Sequence, residues 1–260
     1  MMNLTIGWLY FDLMNTYGDR GNVLTLQNRA HSRNINVKVR PLTTTCTSSD
    51  IQSCDLLFMG GAEDWQQEIV SKDLRGEKRK IFIHQIEHNI PGLYICGAYQ
   101  FLGEYYLTAD NKKLPGLRII SAYTQQSTRT SKRLIGDIVC EVTHPTLLAY
   151  LQNEEDRYLI GFENHGGRTI LSDNKTALAR TITGYGNNDS DTTEGSVYNN
   201  TIATYMHGPL LPRNPKIADF LIAKALSVKY NHEVNLKPLN DMVIHNNRSY
   251  LLKHIYDSRT

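Results

Sequence analysis

Pro91-Gly92-Leu93-Tyr94-Ile95-Cys96-Gly97-Ala98-Tyr99-Gln100-Phe101-Leu102, residues 91–102, holds the step that decides the fold. A Pro-Gly break releases a short apolar run, Leu93 to Ile95, which ends at Cys96-Gly97 and passes at once into a helical run from Ala98 to Leu102. A cysteine at a strand-to-helix turn has the form of a nucleophile elbow, a strained turn that lifts a reactive side chain to the end of a sheet. Backbone N–H groups at the helix start favour a thiolate there, and small residues after the cysteine let helix and strand approach. The competing reading is a buried structural cysteine, because free cysteine is among the most buried residue types. A base within reach would decide between them.

Outward from this step the alternation repeats. Thr5 to Leu13 reads as a buried strand, followed by a polar loop from Asn15 to Asn22 and a helix from Val23 to about Ser32. Ile35 to Val39 is a second strand, Asp55 to Met59 a third that ends at Gly60-Gly61, and Trp65 to about Ile86 a helix. Strands and helices at this spacing imply an α/β fold, a mainly parallel sheet with helices on both faces. After Tyr106 the rhythm turns strand-like at Leu117 to Ala122, Leu134 to Val142, Tyr158 to Glu163 and Thr201 to Met206, and a helix from about Pro215 to Val228 closes the domain. Residues 1–228 are expected to form one domain with added β-rich segments. Residues 229–260, polar and Asn-rich with one apolar stretch at Tyr250 to Leu252, read as a tail suited to docking a partner.

At 260 residues the chain can bury a core without covalent staples. Its formal charge of +2 gives no field that would attract nucleic acid or an anionic membrane surface. The four cysteines form no C-x-x-C pair, and Met1 to Asp12 lacks a basic segment leading into a long apolar core, so a reduced, cytoplasmic protein is expected. No apolar run approaches the roughly 18 residues of a spanning helix.

Of the nine histidines, His207 best fits a base. It closes an apolar strand, Ile202 to Met206, and Gly208-Pro209 follows, so its ring projects from a strand end. His165, in Phe162-Glu163-Asn164-His165-Gly166-Gly167, is the rival, on a polar strand end able to hold a polar substrate. Gly60-Gly61-Ala62 can turn backbone N–H groups toward an oxyanion, though an ordinary βα turn reads equally well. Cys46, Cys54 and Cys140 lack comparable context and read as structural.

Taken together, Gly60-Gly61-Ala62-Glu63-Asp64, Ile95-Cys96-Gly97-Ala98-Tyr99-Gln100, the segment from Gly161 to Thr169 and Tyr205-Met206-His207-Gly208-Pro209 resemble the class I glutamine amidotransferases of the cobyric acid synthase type. Tyr17-Gly18-Asp19, Arg133-Leu134-Ile135-Gly136-Asp137 and Gly184-Tyr185-Gly186-Asn187-Asn188 narrow the resemblance to the glutamine-hydrolysing subunits of lipid II isoglutaminyl synthase. The ordered set spans roughly residues 5 to 225.

That resemblance implies a flavodoxin-like, mostly parallel sheet flanked by helices, and L-glutamine as substrate. Cys96 would attack the side-chain amide, with His207 as base, and a glutamyl thioester would then be hydrolysed. Arg133 would hold the glutamine, with Arg129 as its rival because extra residues lie nearby. Gly61 and the N–H of Gly97 would form the oxyanion hole, while Gln100, Glu163, Asn164 and His165 would line the pocket. Ala62 and Ala98 stand where glycine is usual, and a positive φ at either would be strained. Pro209 stands where many class I amidotransferases carry glutamate, so a Cys96–His207 dyad is expected, any helping acid coming from a distant segment. The implied partner is a Mur-ligase-like subunit, MurT, in a heterodimer. It would use ATP and Mg to activate the α-carboxyl of D-glutamate in lipid II, at the inner face of the membrane. No metal or cofactor is expected in this chain. A cobyrinate-type acceptor, or an inactive scaffold module, are the competing readings, and the intact Cys96 and His207 weigh against the second.

Overall fold

The computed structural model describes residues 1–126, 132–151 and 153–257. Its central sheet has six strands in the order Ser196–Tyr198, Thr201–Thr204, Gly92–Ile95, Leu56–Met59, Asn3–Leu9 and Asn36–Leu42. All neighbours run parallel except the antiparallel edge pair Ser196–Tyr198 with Thr201–Thr204. Every residue of Leu56–Met59, Gly92–Ile95 and Thr201–Thr204 is buried, as expected of inner strands covered on both faces. Met59 pairs with Tyr94, and Ile95 with Thr204, so these three strands end level with one another. The residues that leave them, Gly60-Gly61-Ala62, Cys96-Gly97 and Tyr205-Met206-His207, therefore emerge at one carboxyl edge, where open α/β sheets place their ligands.

Two further sheets supply the β-rich half. One joins Gly167–Leu171, Ala122–Gln126, Tyr105–Leu107 and Lys113–Pro115; the other joins Thr193–Glu194, Ala179–Thr183, Leu134–Val142, Tyr158–His165 and Met206–His207. The chain thus leaves the central sheet at Thr204 and enters the five-stranded sheet at Met206, where Met206 pairs with Glu163 and His207 with Phe162. Tyr205 makes the crossing between them.

Three expected elements differ. The run from Trp65 to Ile86 is two helices, Asp64–Asp73 and Gly76–Glu87, because Leu74 and Arg75 leave helical geometry and Gly76 takes a left-handed φ of 52°. Leu117 to Ser121 is not a strand, and only Ala122 of the expected span belongs to one, at the start of Ala122–Gln126. The stretch before Ala122 wraps the end of helix Gly97–Leu102, where the amides of Leu117, Ile119 and Ile120 donate to the carbonyls of Phe101 and Leu102 at 2.7 to 3.0 Å. Helix ends leave such carbonyls unpaired, and that demand outcompeted a ladder. The first strand stops at Leu9 rather than Leu13, since Tyr10, at φ 48°, turns the chain so that Leu13 and Met14 donate back to its carbonyl.

The polar tail contains a helix, Met242–Asp257, that its composition did not reveal. Arg248, 2% exposed, anchors it by donating to the carbonyls of Arg213, Glu155 and Tyr158 and to Asn214 Oδ1, at 2.6 to 3.0 Å. Just before it, Asp241 joins a buried ion cluster. Arg29 of helix Arg20–His31 donates to both oxygens of Asp219 at 2.7 Å and to both oxygens of Asp241 at 2.7 and 2.8 Å, and Arg33 adds a contact to Asp219 at 2.8 Å. Burial opposes the charge on Arg29, but the two carboxylates outweigh it and push its pKa above the usual arginine range. Among the described residues no helix is long and apolar enough to cross a membrane.

Removing one partner from a buried ion cluster strands the charges that remain. Arg29→Met is therefore expected to lower the unfolding free energy by about 3–5 kcal/mol in urea titration. Lys80→Met, which breaks only an exposed pair with Glu77, is expected to change it by less than about 1 kcal/mol. Equal midpoints for the two variants would contradict this assignment of the cluster.

Candidate active site

Cys96 sits at φ 52° and ψ −104°, a conformation that L-residues avoid and that is found at strained functional turns. Its amide donates to the Thr204 carbonyl at 2.8 Å, tying the elbow to the neighbouring strand end. Ala62 and Ala98 carry no positive φ, so the strain expected at an alanine lies on the cysteine instead. Cys96 lines a pocket of about 400 Å³ together with Thr16, Tyr17, Gln100, Arg133, Asn164 and His165 among others.

His207 and Asp19 are both wholly buried, and His207 Nδ1 donates to Asp19 Oδ1 at 3.0 Å. The bond fixes the proton on Nδ1 and leaves Nε2, which no described group satisfies, as the nitrogen that serves Cys96. Burial by itself would lower the imidazole's pKa, but Asp19 and the Cys96 sulfur outweigh it and raise it to about 10. The Tyr17 ring meets His207 edge-on, with centroids 5.1 Å apart. Asp19 is thus the acid from a distant segment, and the expected dyad has the geometry of a Cys–His–Asp triad. The only sign of it in the sequence was the Tyr17-Gly18-Asp19 motif in a polar loop.

The same carboxylate also engages one of the two amides expected to form the oxyanion hole. Gly61 donates its amide to Asp19 Oδ2 at 2.7 Å, so this N–H is already engaged. A side chain at Gly61 would also run into the His207 ring, at 2.7 Å from Cε1, which explains the glycine. The next amide, Ala62 N, lies 3.1 Å from where a Gly97 Cβ would stand and donates to no described group. Ala62 N and the first residue of helix Gly97–Leu102 thus lie side by side next to Cys96.

Gln100, Arg133, Asn164 and His165 lie on the pocket wall, whereas Glu163, expected there too, does not. The Glu163 carboxylate lies behind His165, its Oε2 3.7 Å from the His165 Nε2, and accepts the amides of Tyr185 at 2.6 Å and Gly186 at 3.0 Å. Arg133 donates through Nε and Nη2 to the Oδ1 and the carbonyl of Asn164, both at 2.9 Å, and its Nη1 has no hydrogen-bond partner among the described residues. Its rival Arg129 lies outside the described residues. Gln100 donates to the Tyr205 hydroxyl at 3.3 Å, and its buried Oε1 has no described partner. No local pattern marked Thr16, Trp65, Gln67, Tyr106 and Gln126, which complete the wall. Among the described residues, no three His, Cys, Asp or Glu side chains are placed to hold a metal ion.

His165 behaves as the opposite of His207. Its ring stacks on Tyr205 with centroids 3.7 Å apart, Nδ1 donates to the Gly167 carbonyl at 2.8 Å, and burial drives its pKa down to about 3. It is held neutral in one tautomer, with its buried Nε2 3.7 Å from Glu163 Oε2.

Imidazole titration by NMR should therefore separate the two histidines. His207 is expected to stay protonated until the pH approaches 10 and His165 to stay neutral down to about pH 3. Asp19→Asn should shift only the His207 titration, and downward, because it removes the carboxylate that holds the proton. A His207 that titrates near the ordinary histidine value in both proteins would overturn this account.

Residues 5–215 match the model of the CobB/CobQ-like glutamine amidotransferase domain. The chain is 41% identical over 229 residues to the lipid II isoglutaminyl synthase (glutamine-hydrolyzing) subunit GatD of Staphylococcus aureus, covering 88% of this chain and 87% of that one. It is 37% identical over 241 residues to the subunit of the same name from Streptococcus pneumoniae, covering 92% and 87%. Among solved structures, a glutamine amidotransferase superposes with a TM-score of 0.56 at 14% identity over 85% of this chain and 98% of its own. The acivicin-bound glutaminase domain of Trypanosoma brucei CTPS gives 0.54 at 9% identity, over 90% and 96%. At such identities these structures speak for the fold alone. The match across residues 5–215 and the 41% identity over most of both chains establish that this chain belongs to the CobB/CobQ-like glutamine amidotransferases.

Proposed function

We propose that this chain is the glutaminase subunit of a two-subunit amidotransferase that amidates lipid II. The observation that carries the chemistry is the strained Cys96 beside His207, whose Nδ1 is held by Asp19. The kinship to the two GatD subunits carries the acceptor. With His207 held as imidazolium, the Cys96 sulfur attacks the side-chain amide carbon of L-glutamine, and the amides of Ala62 and Gly97 receive the oxyanion. Nε2 then gives its proton to the departing nitrogen, the C–N bond breaks, and ammonia leaves a glutamyl thioester. The neutral imidazole takes a proton from water, the resulting hydroxide attacks the thioester carbon, and the C–S bond breaks to release glutamate and restore the ion pair. Nη1 of Arg133 binds the glutamine α-carboxylate.

In this reading the ammonia passes to a Mur-ligase-like partner of the MurT kind. That subunit, with ATP and Mg, activates the D-glutamate α-carboxyl of lipid II, and amidation leaves D-isoglutamine. The chain then works in the cytoplasm beside the membrane, brought to its acceptor by the partner.

Cys96→Ala is expected to abolish glutamate release while leaving the fold intact, and added ammonium should restore amidation by the assembled pair of subunits. Residual glutaminase near the wild-type rate would exclude Cys96 as nucleophile. Failure of ammonium to rescue an assembled complex would exclude the division of labour.

Arg133→Ala should raise KM for glutamine roughly tenfold to a hundredfold with little change in kcat, because a contact to the α-carboxylate is made equally in ground and transition states. A comparable KM rise in Arg129→Ala alone would move the clamp to that residue.

The acid–base pair predicts the pH profile as well. Because His207 is raised to about 10 and acts as the proton donor, kcat/KM should fall on the alkaline side near that pH. In Asp19→Asn the fall should begin at lower pH. An alkaline limb that does not move in this variant would detach Asp19 from the catalytic histidine.

A further inference from the structure

We propose that Glu194 is a positioning residue that sets the geometry of Cys96 and His207 by clamping the chain where it crosses from the central sheet to the five-stranded one. The proposal rests on the reading of Cys96 and His207 as nucleophile and base. The crossing at Thr204-Tyr205-Met206 has two demands. The Thr204 carbonyl must stay on the Cys96 amide at 2.8 Å, and His207 must arrive opposite the sulfur three residues later. A chain that changes sheets also takes the amides of its crossing residues out of either ladder, and buried amides need acceptors.

Glu194 meets both demands. Its Oε1 accepts the Tyr205 amide at 3.0 Å and the Thr204 hydroxyl, and that hydroxyl in turn accepts the Met206 amide at 3.0 Å. One carboxylate oxygen thus satisfies the whole crossing, directly and through Thr204. Glu194 is wholly buried, and no cation pairs with it among the described residues. Burial pushes its pKa up to about 7, yet Oε1 remains an acceptor whether or not Oε2 carries a proton, so the clamp survives titration.

The clamp is itself braced. Asn187 accepts the Gly195 amide at 2.9 Å and donates to the Gly195 carbonyl at 3.2 Å and the Thr193 hydroxyl at 3.0 Å, gripping both neighbours of Glu194. Two residues earlier, the amides of Tyr185 and Gly186 hold the carboxylate of Glu163, the residue that pairs with Met206. The Gly184-Tyr185-Gly186-Asn187-Asn188 motif, which touches no part of the substrate pocket, acquires a role by this route: it fixes both strands that meet at His207.

The test uses the full chain and three variants, Glu194→Ala, Glu194→Gln and Thr204→Val. Two quantities are read: kcat and KM for glutamine hydrolysis with the partner subunit present, and the rate of Cys96 alkylation by iodoacetamide in the chain alone. Glu194→Ala is expected to lower kcat about tenfold to a hundredfold with KM little changed, and to slow alkylation, since small displacements of a catalytic pair have effects of that size. Glu194→Gln, which keeps the acceptor oxygen, should recover most of both. Thr204→Val, nearly isosteric, should show the same kcat-selective loss to a lesser degree, and it decides the matter if Glu194→Ala does not fold. Wild-type kcat and alkylation in folded Thr204→Val, or a Glu194→Gln no better than a folded Glu194→Ala, would overturn the proposal. Alkylation does not depend on glutamine chemistry, so failure of the clamp is distinguishable from failure of the glutaminase reading.

Discussion

The hydrogen bond from the Cys96 amide to the Thr204 carbonyl, 2.8 Å long, is the point on which the site turns. It is the last rung of the parallel ladder between Gly92–Ile95 and Thr201–Thr204, and it joins the turn at Cys96 to the strand that leads to His207. Parallel register makes this possible. Neighbouring strands that end level place the segments following them at one edge, so Gly61-Ala62, Cys96 and His207 converge without any being close in sequence. Because the pair is set by backbone geometry, its precision depends on how firmly the crossing after Thr204 is held.

Burial then acts on two histidines with opposite results. His207 and His165 are both enclosed, and enclosure alone disfavours the charged imidazole. His207 has a carboxylate on Nδ1 and a sulfur near Nε2, and is held protonated. His165 has a carbonyl and a stacked tyrosine ring, and is held neutral. The Asp19 carboxylate accepts from the His207 Nδ1 directly, whereas Glu163 stands 3.7 Å from His165 without a hydrogen bond, and the second oxygen of Asp19 takes the Gly61 amide.

The loop that carries Asp19 leads directly into helix Arg20–His31, and that helix is fixed from its far side by the Arg29 cluster with Asp219 and Asp241. The tail is thereby drawn into the domain. Asp241 closes the cluster, and Arg248 caps carbonyls at the end of the segment that follows His207. The segments that carry Asp19 and follow His207 are both supported by residues late in the chain.

The sequence by itself determined the alternation of strands and helices, the elbow at Cys96 and the strand end at His207, because periodicity, Pro-Gly breaks and small residues are local signals. Ordered motifs extended that to the family and to Gln100, Arg133, Asn164 and His165 as pocket residues. The tertiary structure alone decided what depends on distance along the chain. Asp19 meets His207 across 188 residues, and Arg29 meets Asp219 across 190, and no local pattern encodes either pairing. It also decided which amides the Glu163 carboxylate accepts, where the amide of Gly61 goes, and how the stretch after Gly116 is used. In each case the outcome rests on which acceptor a buried donor could reach, and that competition is settled only when the chain is packed.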